Sequence, residues 1–371
     1  MPIVKNIYKS TARPRILLAP LDWGLGHATR CIPLIRLLLS HQAEVLIAAE
    51  GAAATLFKTE FPGIVILPLK GYHITYSHHK NAFFLKMFSQ LPKILEAIRH
   101  EKKWLEATLG PNRIDAVISD NRYGFCSKMV PGVFITHQLH IRSGYRLLDS
   151  IIQKINYRFI SRFGECWVPD SGTSDNLAGA LSHPDHLPSV PLKYIGLMSR
   201  FEKKPVTTTY DLAVLLSGPE PQRTLFEKIL LEQLQMVSGK VMLVRGLPGD
   251  IEKPLIPSPP GITIHNHLPA AALNDVLLQS DMVIARSGYS TIMDLVAIGK
   301  KAILVPTPGQ TEQEYLASYL SDKKIFCAFS QDGFSLQDAL RTAAAFPFAS
   351  PGEYTFNEDA VVDWLNRLKY T

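Results

Sequence analysis

Short apolar runs recur along this chain, each closed by a polar or glycine-containing turn and then by apolar residues at helical spacing. In the first half, Arg15 to Pro20 reads as a buried strand, Ala28 to Leu39 as a helix and Glu44 to Ala49 as a second strand. Ala116 to Ser119, Val133 to Thr136 and Cys166 to Val168 predict later parallel strands. The series restarts with Leu212 to Leu216, Val241 to Val244, Ile262 to Ile264, Met282 to Ala285 and Ala302 to Val305. Strands interleaved with helices in two series predict an α/β chain of two doubly wound, Rossmann-like domains. The domains are expected at residues 1–200 and 211–355, because Glu202-Lys203-Lys204-Pro205 and three threonines break the pattern between them. Asn357 to Leu368 is amphipathic, and residues 356–371 are expected to form a helix that packs back on the first domain.

The clearest unit is the strand–turn–helix–strand from Asp281 onwards. Its apolar run stops at Arg286-Ser287-Gly288, a helix carries Ile292, Leu295, Val296 and Ile298, and Gly299 suits the C-terminal cap. Free N–H groups at the start of that helix face the carboxyl edge of the sheet and favour a diphosphate. Asp294 lies on the second turn, and Gln310, Glu312, Gln313 and Glu314 follow the next strand. Many α/β domains carry a Ser-Gly turn with no ligand. The ordered set on one sheet edge is the stronger signal, and it suits a nucleotide sugar.

Composition changes little. The chain has 371 residues, 46% apolar and 19% charged, with a net charge of +6, which describes two ordinary globular domains. Cys31, Cys126, Cys166 and Cys327 are far apart and read as core thiols in a reducing compartment, with no disulfide framework or zinc site. There is no secretory apolar region before Arg13 and no window long enough to span a bilayer, so the expectation is a cytoplasmic protein, soluble or peripheral.

Three more sites carry chemistry. Gly24-Leu25-Gly26-His27 opens the first helix, where the glycines let backbone approach a ligand and the helix dipole favours a neutral His27 able to take a proton. Trp23 beside it either stacks on a sugar or covers the helix. Asp120 ends a strand and either acts as a base or caps a helix beginning near Phe125. Between Tyr72 and Trp104, Phe83, Phe84, Phe88 and Leu91 are interleaved with lysines and Arg99. Such a segment lies on an anionic membrane surface or forms a core helix with a solvated basic face.

The 281–320 region resembles the C-terminal donor-binding part of glycosyltransferase family 28, which includes the enzyme that adds N-acetylglucosamine to lipid-linked muramoyl-pentapeptide. The resemblance extends along nearly the whole chain and implies a GT-B fold, two Rossmann-like domains facing across a cleft. It places the diphosphate at Ser287-Gly288 with Arg286 before them, the ribose at Asp294 (usually Glu in the family), and the sugar at Gln313 and Glu314, where the family has a Gln pair. Ser217-Gly218 fall at the family's Gly-Gly-Ser turn, Arg200 at the arginine of its Gly-x-Pro-x-Arg motif, and Leu268 where backbone grips the base. On the acceptor side, Gly24 and Gly26 lie in the loop whose Gly-His ending matches Gly26-His27, with Trp23 a departure from the family, and Tyr123 matches its tyrosine. His137 matches the family's histidine, while Gln138 replaces its glutamate, and Trp23, Gly24, Gly26, Tyr123 and Gln138 are the expected acceptor contacts. A glutamine cannot act as a base, which leaves His27, Asp120 and His137 as candidates and argues for a different acceptor.

The expected function is an inverting transferase that moves a sugar from a UDP-sugar to a lipid-linked or glycan acceptor. No metal or further cofactor is expected, since the chain has no Asp-x-Asp. A peripheral contact with the inner membrane through the Phe83, Phe84 and Phe88 region is expected, and nucleic acid is not. Gly24 to Cys31 also resembles the Gly-Leu-Gly-His-x-x-Arg-Cys signature of nucleotide-sugar hydrolases of nonulosonic acid pathways, which gives the first rival. The second is a non-catalytic nucleotide-sugar binding protein. A Rossmann dehydrogenase is disfavoured, because Thr29 stands where the third glycine of the dinucleotide fingerprint belongs.

Overall fold

A computed structural model describes residues 13–72, 90–141, 146–247, 260–352 and 354–369. The first domain runs β1 (Arg15–Pro20), α1 (Gly26–Ser40), β2 (Glu44–Ala48), α2 (Gly51–Glu60), β3 (Val65–Leu67), α3 (Leu91–Leu109), β4 (Ala116–Asp120), β5 (Gly132–Ile135), α4 (Arg146–Ile160), β6 (Glu165–Val168) and β7 (Leu192–Tyr194). The second runs β8 (Tyr210–Leu215), α5 (Gln222–Leu234), β9 (Val241–Val244), β10 (Ile262–His265), α6 (Ala270–Leu278), β11 (Ser280–Ala285), α7 (Tyr289–Ala297), β12 (Ala302–Leu304), α8 (Thr311–Asp322), β13 (Cys327–Ala328) and α9 (Leu336–Ala345). Helix α10 (Glu358–Lys369) follows.

Among the described residues every strand pairing is parallel. The orders are β3-β2-β1-β4-β5-β6-β7 and β10-β9-β8-β11-β12-β13. Strand order therefore reverses between β1 and β4 in one sheet and between β8 and β11 in the other. Loops at the carboxyl ends of those strands diverge to opposite faces, which opens a crevice for a ligand in each domain.

The two domains share one hydrophobic core. Ile32 and Ile35 of α1, Ile292 and Leu295 of α7, and Val361, Trp364 and Leu365 of α10 belong to a single buried cluster. The last helix crosses back to the first domain, where Trp364 meets Trp167 edge-on at 5.4 Å and Arg367 pairs with Glu165. The crossing needs Gly196: its φ is +70°, and a Cβ there would lie 1.8 Å from the Thr355 carbonyl oxygen.

Some sequence expectations fail locally. No helix begins at Phe125; residues 121–131 are turns, and Phe125 is buried in the core instead. Phe83, Phe84 and Phe88 lie outside the described residues. In the described remainder of that segment, α3 buries Ile98 and Leu105 and exposes Lys93, Arg99, Lys102 and Lys103, so this part is a core helix with a basic outer face. Among the described residues no helix is long and apolar enough to cross a membrane.

Candidate functional site

The carboxyl edges of the two sheets face each other, and their first-turn residues touch. Ser290 Oγ of α7 donates to the Gly26 carbonyl at 2.9 Å, and Tyr289 Oη donates to the Pro169 carbonyl at 2.8 Å. The amino ends of α1 and α7 therefore meet head to head across the domain boundary.

Asp120, the last residue of β4, organises the first-domain side. It is fully buried, and Arg30 of α1 grips it with Nε at 2.7 Å and with Nη2. His27 Nδ1 lies 3.0 Å from Asp120 Oδ1, and Cys31 Sγ lies 3.5 Å from Oδ2. These three residues sit at i, i+3 and i+4 on α1, so one helical face aims all of them at the strand end. Burial alone would raise the Asp120 carboxyl, but Arg30 and His27 outweigh it and hold the group well below the usual carboxylate range.

That ionised carboxylate fixes the histidine. An acceptor-only partner requires Nδ1–H on His27, which leaves the lone pair on Nε2. Nε2 has no partner among the described residues, and the side chain stays 16% exposed. Burial lowers the His27 pKa below its ordinary value, with Asp120 opposing, so the ring is held neutral. Asp120 itself is no base: it is ionised, fully buried and already engaged.

His137, after β5, is also committed. Its Nδ1 lies 3.1 Å from Arg30 Nη1, and an arginine can only donate, so the proton sits on Nε2. Nε2 donates to Glu312 Oε1 at 2.8 Å, and the ring stacks on Tyr289 with centroids 4.2 Å apart. With both nitrogens engaged and the ring covered, His137 serves as a bridge between domains. Glu312 completes a chain that runs Glu312, His137, Arg30, Asp120, His27. Burial works against the Glu312 charge, but His137, His27 and Arg30 together lower its pKa.

Sequence reasoning named Glu312 only within its acidic segment and Arg30 only within a signature, and gave neither a role of its own. The resemblance pointed to Gln313 and Glu314, whose side chains instead hold the preceding loop: Gln313 Oε1 accepts from Thr307 N–H at 2.9 Å, and Glu314 Oε1 from Gly309 N–H at 3.0 Å. Glu312, one position earlier, is the residue that reaches across. Arg30 lies inside the quoted Gly24 to Cys31 signature, and its spacing of three from His27 was the available signal.

The structure moves other candidates as well. Tyr123 does not open onto the crevice: it stacks on Phe134, and its hydroxyl donates to Asn156 Oδ1 at 2.8 Å. Arg286 turns into the second domain, where Nη1 reaches the Val305 and Pro306 carbonyls and Nη2 the Gln222 carbonyl and Gln331 Oε1. Burial drops its pKa to about 9, and its four hydrogen bonds brace the loops around it. Ser287 is also buried, with Oγ donating to the Gln313 carbonyl. Gly288 is the N-cap residue of α7, in extended conformation.

Asp294 accepts from Ser199 Oγ at 2.7 Å and lies 3.8 Å from Arg200 Nε, which has no hydrogen-bond partner among the described residues. Burial raises the Asp294 carboxyl and lowers the Arg200 guanidinium. This pair stands about 8 Å along α7 from its amino end at 1.5 Å per residue, with Arg200 beside Asp294. His267 and Leu268 follow β10, with Leu268 packed on the shared core. Ser217 and Gly218 follow β8; Gly218 is exposed, with φ +99°. Trp23 is 36% exposed and meets Tyr72 edge-on at 6.4 Å, while Gly24 takes φ +84°. Gln138 is half-buried after β5.

Residues 268–348 match the model of the glycosyltransferase family 28 C-terminal domain. Within the matched residues fall α7, Asp294, Glu312 and Gln313. The UDP-N-acetylglucosamine--N-acetylmuramyl-(pentapeptide) pyrophosphoryl-undecaprenol N-acetylglucosamine transferase of Methylobacterium radiotolerans is 37% identical over 83 residues, 22% of each chain. The match thus spans about a fifth of the length of that relative. An uncharacterized glycosyltransferase of Methanosarcina acetivorans is 24% identical over 330 residues, 81% of each chain. Among solved structures, the glycotransferase of kitacinnamycin has a TM-score of 0.62 at 18% identity, covering 96% of this chain and 94% of its own. Acinetobacter baumannii MurG has a TM-score of 0.57 at 14% identity, covering 96% and 100%. These likenesses show a GT-B fold for the chain.

Proposed function

We propose that this chain is an inverting glycosyltransferase that carries a sugar from a UDP-sugar to the hydroxyl of a lipid-linked or glycan acceptor. The observation that carries the reading is His27: a neutral imidazole with Nδ1–H on an ionised Asp120 and Nε2 free, across the domain boundary from the amino end of α7. The acceptor O–H gives its proton to Nε2 as its oxygen bonds to the anomeric carbon. The bond from that carbon to the diphosphate breaks on the opposite face, and the N–H groups of α7 receive the charge. Asp294, Ser199 and Arg200 suit the ribose end of the nucleotide. Charge compensation by the helix fits a reaction without a metal or further cofactor. The relatives named for undecaprenol-linked substrates favour a lipid acceptor, reached from the cytoplasmic face by peripheral contact of the Phe83, Phe84 and Phe88 region.

The test is UDP release from a panel of UDP-sugars, with and without a lipid extract, for the wild type and His27→Ala. Extract-dependent release that falls about 10²- to 10⁴-fold in His27→Ala supports a base-assisted transferase. Rapid release in water alone identifies a hydrolase, whose signature includes the Arg30 and Cys31 gathered at Asp120. UDP binding with no turnover, unchanged in His27→Ala, identifies a binding protein.

A further inference from the structure

Thr307, directly after β12 and Pro306, is the least explained polar residue near the donor side. It is 5% exposed, and its hydroxyl has no hydrogen-bond partner among the described residues. The rest of the residue is fixed. Its N–H donates to Gln313 Oε1 at 2.9 Å, and its carbonyl accepts from Gln310 N–H at 3.1 Å. The preceding carbonyls of Val305 and Pro306 are held by Arg286. Only the hydroxyl is left over, on a backbone that cannot turn away. Leaving such a group unsatisfied is costly, so an oxygen or nitrogen partner is expected.

The surroundings point to that partner. β8, β11 and β12 are adjacent in the sheet, so Ser217-Gly218, Ser287-Gly288 and Thr307 emerge side by side at its carboxyl edge. A Cβ added to Gly218 would lie 3.8 Å from Thr307 Oγ1 and near nothing else, so the glycine leaves open space beside the hydroxyl. The amino end of α7 begins at the neighbouring strand, and its N–H groups favour an anionic oxygen in the same space.

We propose that Thr307 is a donor-positioning residue whose hydroxyl donates a hydrogen bond to the terminal phosphate of the nucleoside diphosphate. The assignment rests on the nucleotide-sugar reading above and adds a contact to it. Gln313 thereby acts indirectly, by fixing the loop that aims Thr307.

Titration calorimetry with UDP and with UMP on the wild type, Thr307→Val and Thr307→Ser is the test. Valine keeps the shape and removes the hydroxyl, so Thr307→Val should melt no lower than the wild type. It should bind UDP about tenfold more weakly and UMP unchanged, as expected for one hydrogen bond to a charged group. Thr307→Ser should restore UDP affinity. Equal UDP binding in wild type and Thr307→Val overturns the proposal, as does an equal loss for UDP and UMP. Wild-type protein that binds neither nucleotide defeats the nucleotide-sugar reading itself, and this contact with it.

Discussion

At Asp120, three donors from one helical face meet one buried carboxylate, and the chemistry of His27 depends on that charge. Replacement by asparagine keeps the size but removes the acceptor-only character, so His27 can take the wrong tautomer and Arg30 is left a buried, unpaired cation. Asp120→Asn is therefore expected to lose about 10²- to 10⁴-fold in turnover. It should also lose about 3–5 kcal/mol of stability, as when one partner of a buried ion pair is removed. Turnover measured below the melting transition separates the two effects; undiminished turnover would refute the tautomer argument. The pH profile gives an independent reading. His27 has its pKa lowered from 6.5, so the acid limb of kcat/KM should have its midpoint below that value, because protonation removes the Nε2 lone pair. The linkage runs the same way for stability. A depressed histidine means the unfolded chain binds more protons, so the contribution of His27 is complete above 6.5 and is lost as pH falls. The contribution of Asp120 persists to lower pH, present above 3.8 and lost as pH falls through its depressed folded value.

At the level of elements, the amino ends of α1 and α7 are pressed together through a glycine and a serine. A Cβ on Gly26 would stand 2.9 Å from Ser290 Oγ and 3.5 Å from Ser290 Cβ. Gly26→Ala should cost about 1–3 kcal/mol through overpacking and reduce turnover by shifting one helix against the other. Ser290→Ala in the same chain leaves only the 3.5 Å contact, which is ordinary, and should recover most of the stability. A double variant no more stable than Gly26→Ala would place the cost elsewhere. The elements themselves differed in how far the sequence betrayed them. Central strands such as β1, β4 and β11 are buried on both faces and appear as unbroken apolar runs. Three of the four edge strands, β3, β7 and β13, span only three, three and two residues and were missed, although Ile64 to Leu67 and Ile325 to Phe329 are apolar runs; their shortness, not their composition, hid them. The candidate site was legible where a residue ends a strand or opens a helix, as with His27, Asp120 and His137. It was not legible where rotation about a helix decides the outcome. Gln310 caps α8 by accepting from Gln313 N–H, and that cap turns Glu312, not Gln313 or Glu314, towards His137. One residue is about 100° on a helix, more than spacing alone can resolve.

For the whole molecule, the shared core decides whether two domains behave as one. Residues of α1, α7 and α10 lie in one buried cluster, and the last helix closes it by returning to the first domain. Trp364 is 3% exposed and packs on Trp167, which is fully buried, so its removal opens a cavity at the join and leaves α10 with Val361 and Leu365. Trp364→Ala should cost about 3–5 kcal/mol. Two domains that fold independently would confine that loss to one of two transitions in urea. Domains that share a core should instead show one transition, shifted as a unit and reported equally by far-ultraviolet circular dichroism and by the fluorescence of the remaining tryptophans. The expected result is the single shifted transition, with turnover falling in parallel, because the contact between His137 and Glu312 exists only while the two sheet edges stay opposed. Two separated transitions would show that the core clusters pack without coupling, and that the polar bridge is held by the loops alone.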